Sequence, residues 1–120
     1  MNNTGIKTRV LNEIYDIAKE NNVEKLFLFG TRARGDYKPT SDIDLAFIGG
    51  NSSNFILSVD EYTYTLLKFD IIDLSKPVDP KIRESIEREG ILIYEKSRPT
   101  IKVNVTCVYI MVYVFMDWFL

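Results

Sequence analysis

The 120-residue chain predicts a small α/β (α+β) domain, a mixed sheet with flanking helices, and three features carry that prediction. Apolar residues Ile6, Val10, Ile14, Ile17 and Ala18 recur at helical spacing near the N-terminus. Four short apolar runs of strand length follow: KLFLF at 25–29, DIDLAFI at 42–48, KFDIIDL at 68–74 and ILIYE at 91–95. A second helical stretch, PKIRESIERE at 80–89, separates the last two runs.

Taken in order, Thr4 is expected to cap a first helix running from about Gly5 to Asn21. The polar stretch NNVE interrupts it before the first strand at 25–29. Gly30 to Pro39 holds two glycines, a proline and several charges, so it reads as a functional loop or a brief helical turn. The second strand, 42–48, stops at Gly49-Gly50, and a helix or irregular arm fills 54–67. The third strand covers 68–74. Pro80 opens the second long helix, Gly90 closes it, and 91–95 forms the last strand.

Bulk properties exclude several functions. A net charge of −2 offers no global attraction for nucleic acid, which argues against direct DNA binding. Histidine is absent, and with it histidine triads, histidine general bases and histidine–zinc sites. Any metal would then be a hard cation on oxygen ligands, magnesium first among them. The lone Cys107 permits no intrachain disulfide and fits a reducing cytoplasm. No basic region followed by an apolar run marks the N-terminus as a signal peptide.

The unusual chemistry concentrates in GTRARGDYKPTSDIDLAF, residues 30–47. A strand running into Gly30-Thr31 and a turn suits phosphate, because glycine lets backbone N–H groups approach the oxygens closely. Thr31 adds a hydroxyl, and Arg32 and Arg34 are candidate bidentate phosphate partners. Alone, this half also fits an ordinary turn with solvated arginines. Asp42 and Asp44 make the stronger half. Residues i and i+2 of a strand share a face, so both carboxylates project together and repel unless a cation lies between them. The alternative is a strand cap at Asp42 with Asp44 in water. Ile43, Leu45, Phe47 and Ile48 make this strand largely buried, however, which leaves Asp44 needing a partner. Asp70 interrupts the third strand in the same way and would join the pair if the strands are neighbours. Asp73 is out of phase with Asp70 and sits at the strand end, where an exposed carboxylate is easily solvated, so Asp70 is preferred. Three carboxylates would suit a two-metal site.

The segment resembles the signature of the minimal nucleotidyltransferases, the small branch of the DNA polymerase β-like superfamily. That pattern is Gly-Ser, about ten residues, then D-x-D, with an ARG after the serine. Here Gly30-Thr31, ten residues and Asp42-Ile43-Asp44 follow it, with Ala33-Arg34-Gly35 in place. The resemblance extends through KFDIIDL to IEREGILIYE and implies the polymerase β-like palm fold over residues 1–96. It implies that Gly30 and Thr31 hold a triphosphate and that Asp42 and Asp44 bind two magnesium ions. Asp70 would bind the catalytic metal and help deprotonate the attacking hydroxyl. The implied reaction moves AMP from ATP to an acceptor hydroxyl. Thr31 departs from the usual serine, keeping the hydroxyl while β-branching restricts its rotamer.

The 120 residues leave no room after the 80–89 helix for an acceptor-binding second domain, so none is expected and the acceptor surface is expected from a protein partner. By resemblance that partner is a HEPN ribonuclease toxin, neutralised by adenylylation in the cytoplasm. The rival reading is a catalytically silent antitoxin that acts by contact alone. A different D-x-D enzyme, such as a glycosyltransferase, leaves the upstream Gly-Thr unexplained. The tail at 97–120 differs in composition, rich in β-branched and aromatic residues. It reads first as a non-native extension, then as an interface element, and last as a membrane anchor, interrupted as it is by Asn104, Thr106 and Asp117.

Overall fold

The computed structural model describes residues 3–97, so the apolar tail lies outside the described residues. Eight elements follow the expected order: α1 (Thr8–Glu20), β1 (Lys25–Phe29), α2 (Thr31–Arg34), β2 (Ile43–Ile48), α3 (Ser52–Tyr62), β3 (Phe69–Asp73), α4 (Pro80–Glu89) and β4 (Ile91–Glu95). The strands form one sheet in the order β3-β2-β1-β4. β1 pairs antiparallel with both β2 and β4, whereas β2 and β3 run parallel, joined through α3. A parallel pair needs such a crossover, and the length of 49–68 is what accommodates it.

Strand alternation gives the sheet two different faces. Leu26 and Leu28 of β1 and Ile43, Leu45 and Phe47 of β2 point toward α1 and α3. They pack with Val10, Ile14, Ile17, Ala18, Phe55 and Val59 into the main core. Phe47 and Phe55 meet with ring centroids 4.9 Å apart and planes at 59°, a favourable tilted pair. The opposite face carries Phe29 and Ala46, covered by Ile86 of α4 with Phe27, Ile72 and Leu74 around them. Asp44 lies between Ile43 and Leu45 in β2, so it faces the α4 side, near the open end of that smaller core.

α1 begins at Thr8 rather than near Gly5, and Thr4 does not cap it. Lys7 occupies the N-cap position without a side-chain capping bond. Gly5 has φ +70°, a left-handed conformation that breaks the helix before it starts, and Thr4 is buried with its hydroxyl turned to the N–H of Ile6. α3 starts two residues earlier than expected because Asn51 caps it, accepting from the N–H of Asn54 at 3.3 Å. α4 follows the expected pattern: Asp79 accepts from the N–H of Lys81 at 2.8 Å and Pro80 occupies the first turn.

Candidate active site

β1 ends at Phe29, and the chain turns through Gly30 into the single helical turn of α2. Gly30 adopts φ +76° and ψ −156°, a conformation open to glycine alone. A side chain is excluded there a second time: a Cβ would lie 3.0 Å from Asp44 Cγ and closer still to Oδ2. Gly30 and Asp44 are thus fitted against one another, since the cross-strand partner of Asp44 is Phe29, the residue just before the turn. The carbonyl of Gly30 accepts from the N–H groups of Ala33 and Arg34, both at 3.1 Å, which leaves the leading N–H groups of α2 on the side of the turn. Thr31 is half-buried at that position.

Asp70 is the direct register partner of Asp44 across the parallel β2–β3 pair. Paired residues share a face, so the two carboxylates project together on the α4 side of the sheet. Asp42, two residues before Asp44, is exposed at the entrance to β2. The electrostatics register this convergence. Burial raises the Asp44 pKa from 3.8 to about 6, and the charges of Asp70 and Asp42 push it the same way, against smaller opposing effects of Arg34 and Arg32. Such a group is stabilised in its ionised form by a cation.

Among the described residues, however, no three acidic, cysteine or histidine side chains lie close enough to cage a metal ion. Asp44 and Asp70 share a face, with Asp42 just before β2, and the three do not close around a point. The donor set, carboxylate oxygen alone, fits a hard cation.

The two arginines part ways. Arg32 does not stand free for a phosphate: it is 1% exposed and its guanidinium donates to backbone carbonyls. Nη1 reaches the carbonyl of Thr4 at 3.0 Å, Nη2 and Nε reach that of Ser41 at 2.9 and 3.2 Å, and Nη2 also reaches Pro39 at 3.4 Å. Its ring neighbour is Tyr37, with the guanidinium carbon 4.9 Å from the centroid. Arg32 ties the N-terminal segment to the loop that delivers Asp42. Arg34, by contrast, is partly exposed and paired with Glu89 and Asp36.

The phase argument for Asp70 over Asp73 holds, but the exposures are reversed. Asp70 is exposed because β3 is an edge strand and its α4-side face is open. The Asp73 side chain is only 8% exposed. Burial works against its charge, yet bonds from the Ser75 hydroxyl and N–H, from Ser52 and the Lys76 charge outweigh it and hold the pKa below the usual carboxylate value. Asp73 fastens α3 and the following turn to the strand. A cavity of about 670 Å³ lies elsewhere, on the α1 side, lined by Ile6, Val10, Pro39, Ile43, Tyr64 and Leu67 among others.

Residues 12–99 match the family model described as polymerase beta, nucleotidyltransferase. The chain belongs to the polymerase β nucleotidyltransferase family. A Methanocaldococcus jannaschii protein that bears the name putative protein adenylyltransferase is 28% identical over 81 residues, covering 60% of this chain and 79% of the relative. A toxin-antitoxin crystal structure with AMP-PNP superposes with a TM-score of 0.53 at 17% identity, over 72% of this chain and 74% of the other. A mutant of the toxin-antitoxin MntA-HpeT, with two aspartates one residue apart changed to glutamate, superposes with a TM-score of 0.58 at 15% identity, over 72% and 74%. At these identities the structural likeness establishes a shared fold. In this nucleotidyltransferase, the sheet order and the glycine turn after β1 bring Gly30, Asp44 and Asp70, the candidate site, to the α4 face of the sheet. Among the described residues no helix is long and apolar enough to cross a membrane.

Proposed function

We propose that this nucleotidyltransferase moves AMP from ATP to a hydroxyl group of a partner protein, with magnesium, and serves as the antitoxin of a HEPN ribonuclease toxin in the cytoplasm. The observation that carries the reading is Asp44 aligned with Asp70 beside the side-chain-free turn at Gly30. The names of the relatives support its direction: protein adenylyltransferase for one, toxin-antitoxin with a nucleotide analogue for another.

In this reading Gly30, Thr31 and the start of α2 receive the triphosphate, with Arg34 as the arginine within reach of a phosphate. Asp42, Asp44 and Asp70 hold magnesium, which when bound supplies positive charge to the triphosphate and to the attacking oxygen. The acceptor oxygen forms the new bond to the α-phosphorus as the bond to the β-phosphate oxygen breaks, and pyrophosphate leaves with the electron pair. Asp70, exposed at the sheet edge, takes the hydroxyl proton. Asp44, near pH 8, is ionised and available as a ligand. Arg32 maintains the loop shape from inside the fold.

The rival reading is a catalytically silent antitoxin that neutralises its partner by contact. Incubation with magnesium and α-labelled ATP, with and without the candidate toxin, separates the two. Label on the partner that disappears in Asp42→Asn/Asp44→Asn supports transfer. Intact partner binding without label in either form identifies the silent binder.

A further inference from the structure

The last residue of α4, Glu89, is placed against the rules for a helix end. A carboxylate in the last turn faces the negative end of the helix dipole and is destabilising there. Glu89 is also nearly enclosed, its side chain 11% exposed, whereas the neighbouring Arg88 side chain is 62% exposed and simply pairs along the helix with Glu84. What holds Glu89 in place is Arg34. Arg34 Nη1 donates to both carboxylate oxygens, at 2.9 and 3.1 Å, across 55 residues of sequence. Arg34 Nε donates to Asp36 at 3.3 Å. Among the described residues, Nη2 of Arg34 donates to no protein group.

Arg34 needs such support. It closes a single four-residue helical turn, and Gly35 follows in the left-handed conformation at φ +94° with an exposed loop beyond. The local contact is the Nε bond to Asp36, whose side chain is itself 64% exposed and gives a weak hold on a long side chain. α4, in contrast, is anchored to the sheet through Ile86, which is buried against Phe29 and Ala46. Phe29 leads into the Gly30 turn, and Ala46 follows Asp44 on the same face of β2. Glu89 therefore carries the position of the rigid sheet out to the arginine, and Arg34 lies near enough to Asp44 to oppose the rise in its pKa.

We infer that Glu89 is a positioning residue for nucleotide binding: it fixes Arg34 by the Nη1 edge so that Nη2 is presented to the triphosphate. The assignment rests on the nucleotidyltransfer reading above. Glu89 does not touch the nucleotide. Its effect passes through Arg34, and a double-substitution cycle isolates that dependence.

The probe is Mg·AMP-PNP, titrated calorimetrically into the full chain. Glu89→Ala should weaken binding by about 5- to 10-fold, on the scale of one ordinary hydrogen bond. Glu89→Gln keeps an acceptor and should weaken it by only about 2- to 3-fold. In an Arg34→Ala background, Glu89→Ala should have no further effect. A nucleotide-free readout accompanies these: the Arg34 ¹⁵Nε order parameter should fall in Glu89→Ala and be largely kept in Glu89→Gln. Unchanged or tighter binding in Glu89→Ala overturns the assignment, as does an equal loss in the Arg34→Ala background. If wild type binds no AMP-PNP, the nucleotide reading falls and the role of Glu89 in it falls too. Normal wild-type binding with an indifferent Glu89 removes this inference alone.

Discussion

Replacing Asp44 with asparagine should make this protein more stable while removing its activity. The carboxyl is half-buried between β1 and β3, with Asp70 and Asp42 adding like charge, and its pKa stands at about 6 against an ordinary 3.8. For a wholly enclosed group that rise would correspond to a penalty of about 3 kcal/mol on the ionised form. Water reaches much of this carboxyl, so screening reduces the expected gain to about 1 kcal/mol. Asparagine is isosteric and preserves the fit against Gly30. Because the folded pKa is raised, the folded state binds more protons than the unfolded chain between pH 3.8 and about 6. Wild type therefore gains stability as pH falls through that window, and the asparagine variant does not share this gain. Urea unfolding at pH 7.5 should place the variant's midpoint higher by about 0.5–1 M. The gap should close near pH 4, and millimolar magnesium should narrow it by stabilising wild type alone. A variant no more stable than wild type at pH 7.5, or a gap unchanged at pH 4, would refute the charge penalty and the metal-site argument built on it.

Three further outcomes follow from the same geometry. Gly30→Ala should destabilise the fold by about 1–3 kcal/mol through its left-handed backbone and displace Asp44, seen as a lower melting temperature together with lost nucleotidyl transfer. Arg32→Leu, which strands the carbonyls of Thr4 and Ser41, should cost about 2–4 kcal/mol in urea unfolding, and lysine should not rescue it because it lacks the planar fork. Asp73→Asn should lose about 1 kcal/mol at neutral pH while leaving nucleotide binding in place. Since the Asp73 pKa is depressed on folding, its contribution is present above the ordinary carboxylate value and disappears as pH falls through the folded value. The difference between wild type and variant should vanish in acid.

The order of elements was legible because each strand is a short apolar run bounded by a glycine, proline or polar break. The phase of Asp44 on β2 was legible as well, since alternation puts it on the face opposite Ile43 and Leu45; Asp42 lies just before the strand. The match of Asp70 to Asp44 needed only that β2 and β3 be neighbours, as they are. Arg32 was misread because a guanidinium bound to backbone carbonyls leaves no trace in residue types: its partners at Thr4 and Ser41 contribute only main-chain oxygens. Asp73 was misread because its partners, Ser52 and Ser75, act from a helix start and a turn that strand periodicity does not describe. Glu89 was passed over because helical charge patterning treats it as one more solvated acid. Only the tertiary approach of α4 to α2 sets it apart.

The bond from Arg32 to the carbonyl of Thr4 spans 28 positions and is made to a peptide group. A main-chain oxygen is the same whichever amino acid contributes it, so the contact itself survives substitution at position 4 and would be invisible to covariation between homologues. Deletion is different. Trimming the chain past residue 4 would take away an acceptor that no point mutation can, leaving a buried guanidinium short of a partner beneath the Gly30 turn. Thr4, which looks dispensable in a truncation series, is thus a keystone of the loop between α2 and β2, and a truncated protein with lost activity should not be mistaken for one lacking a partner-binding segment.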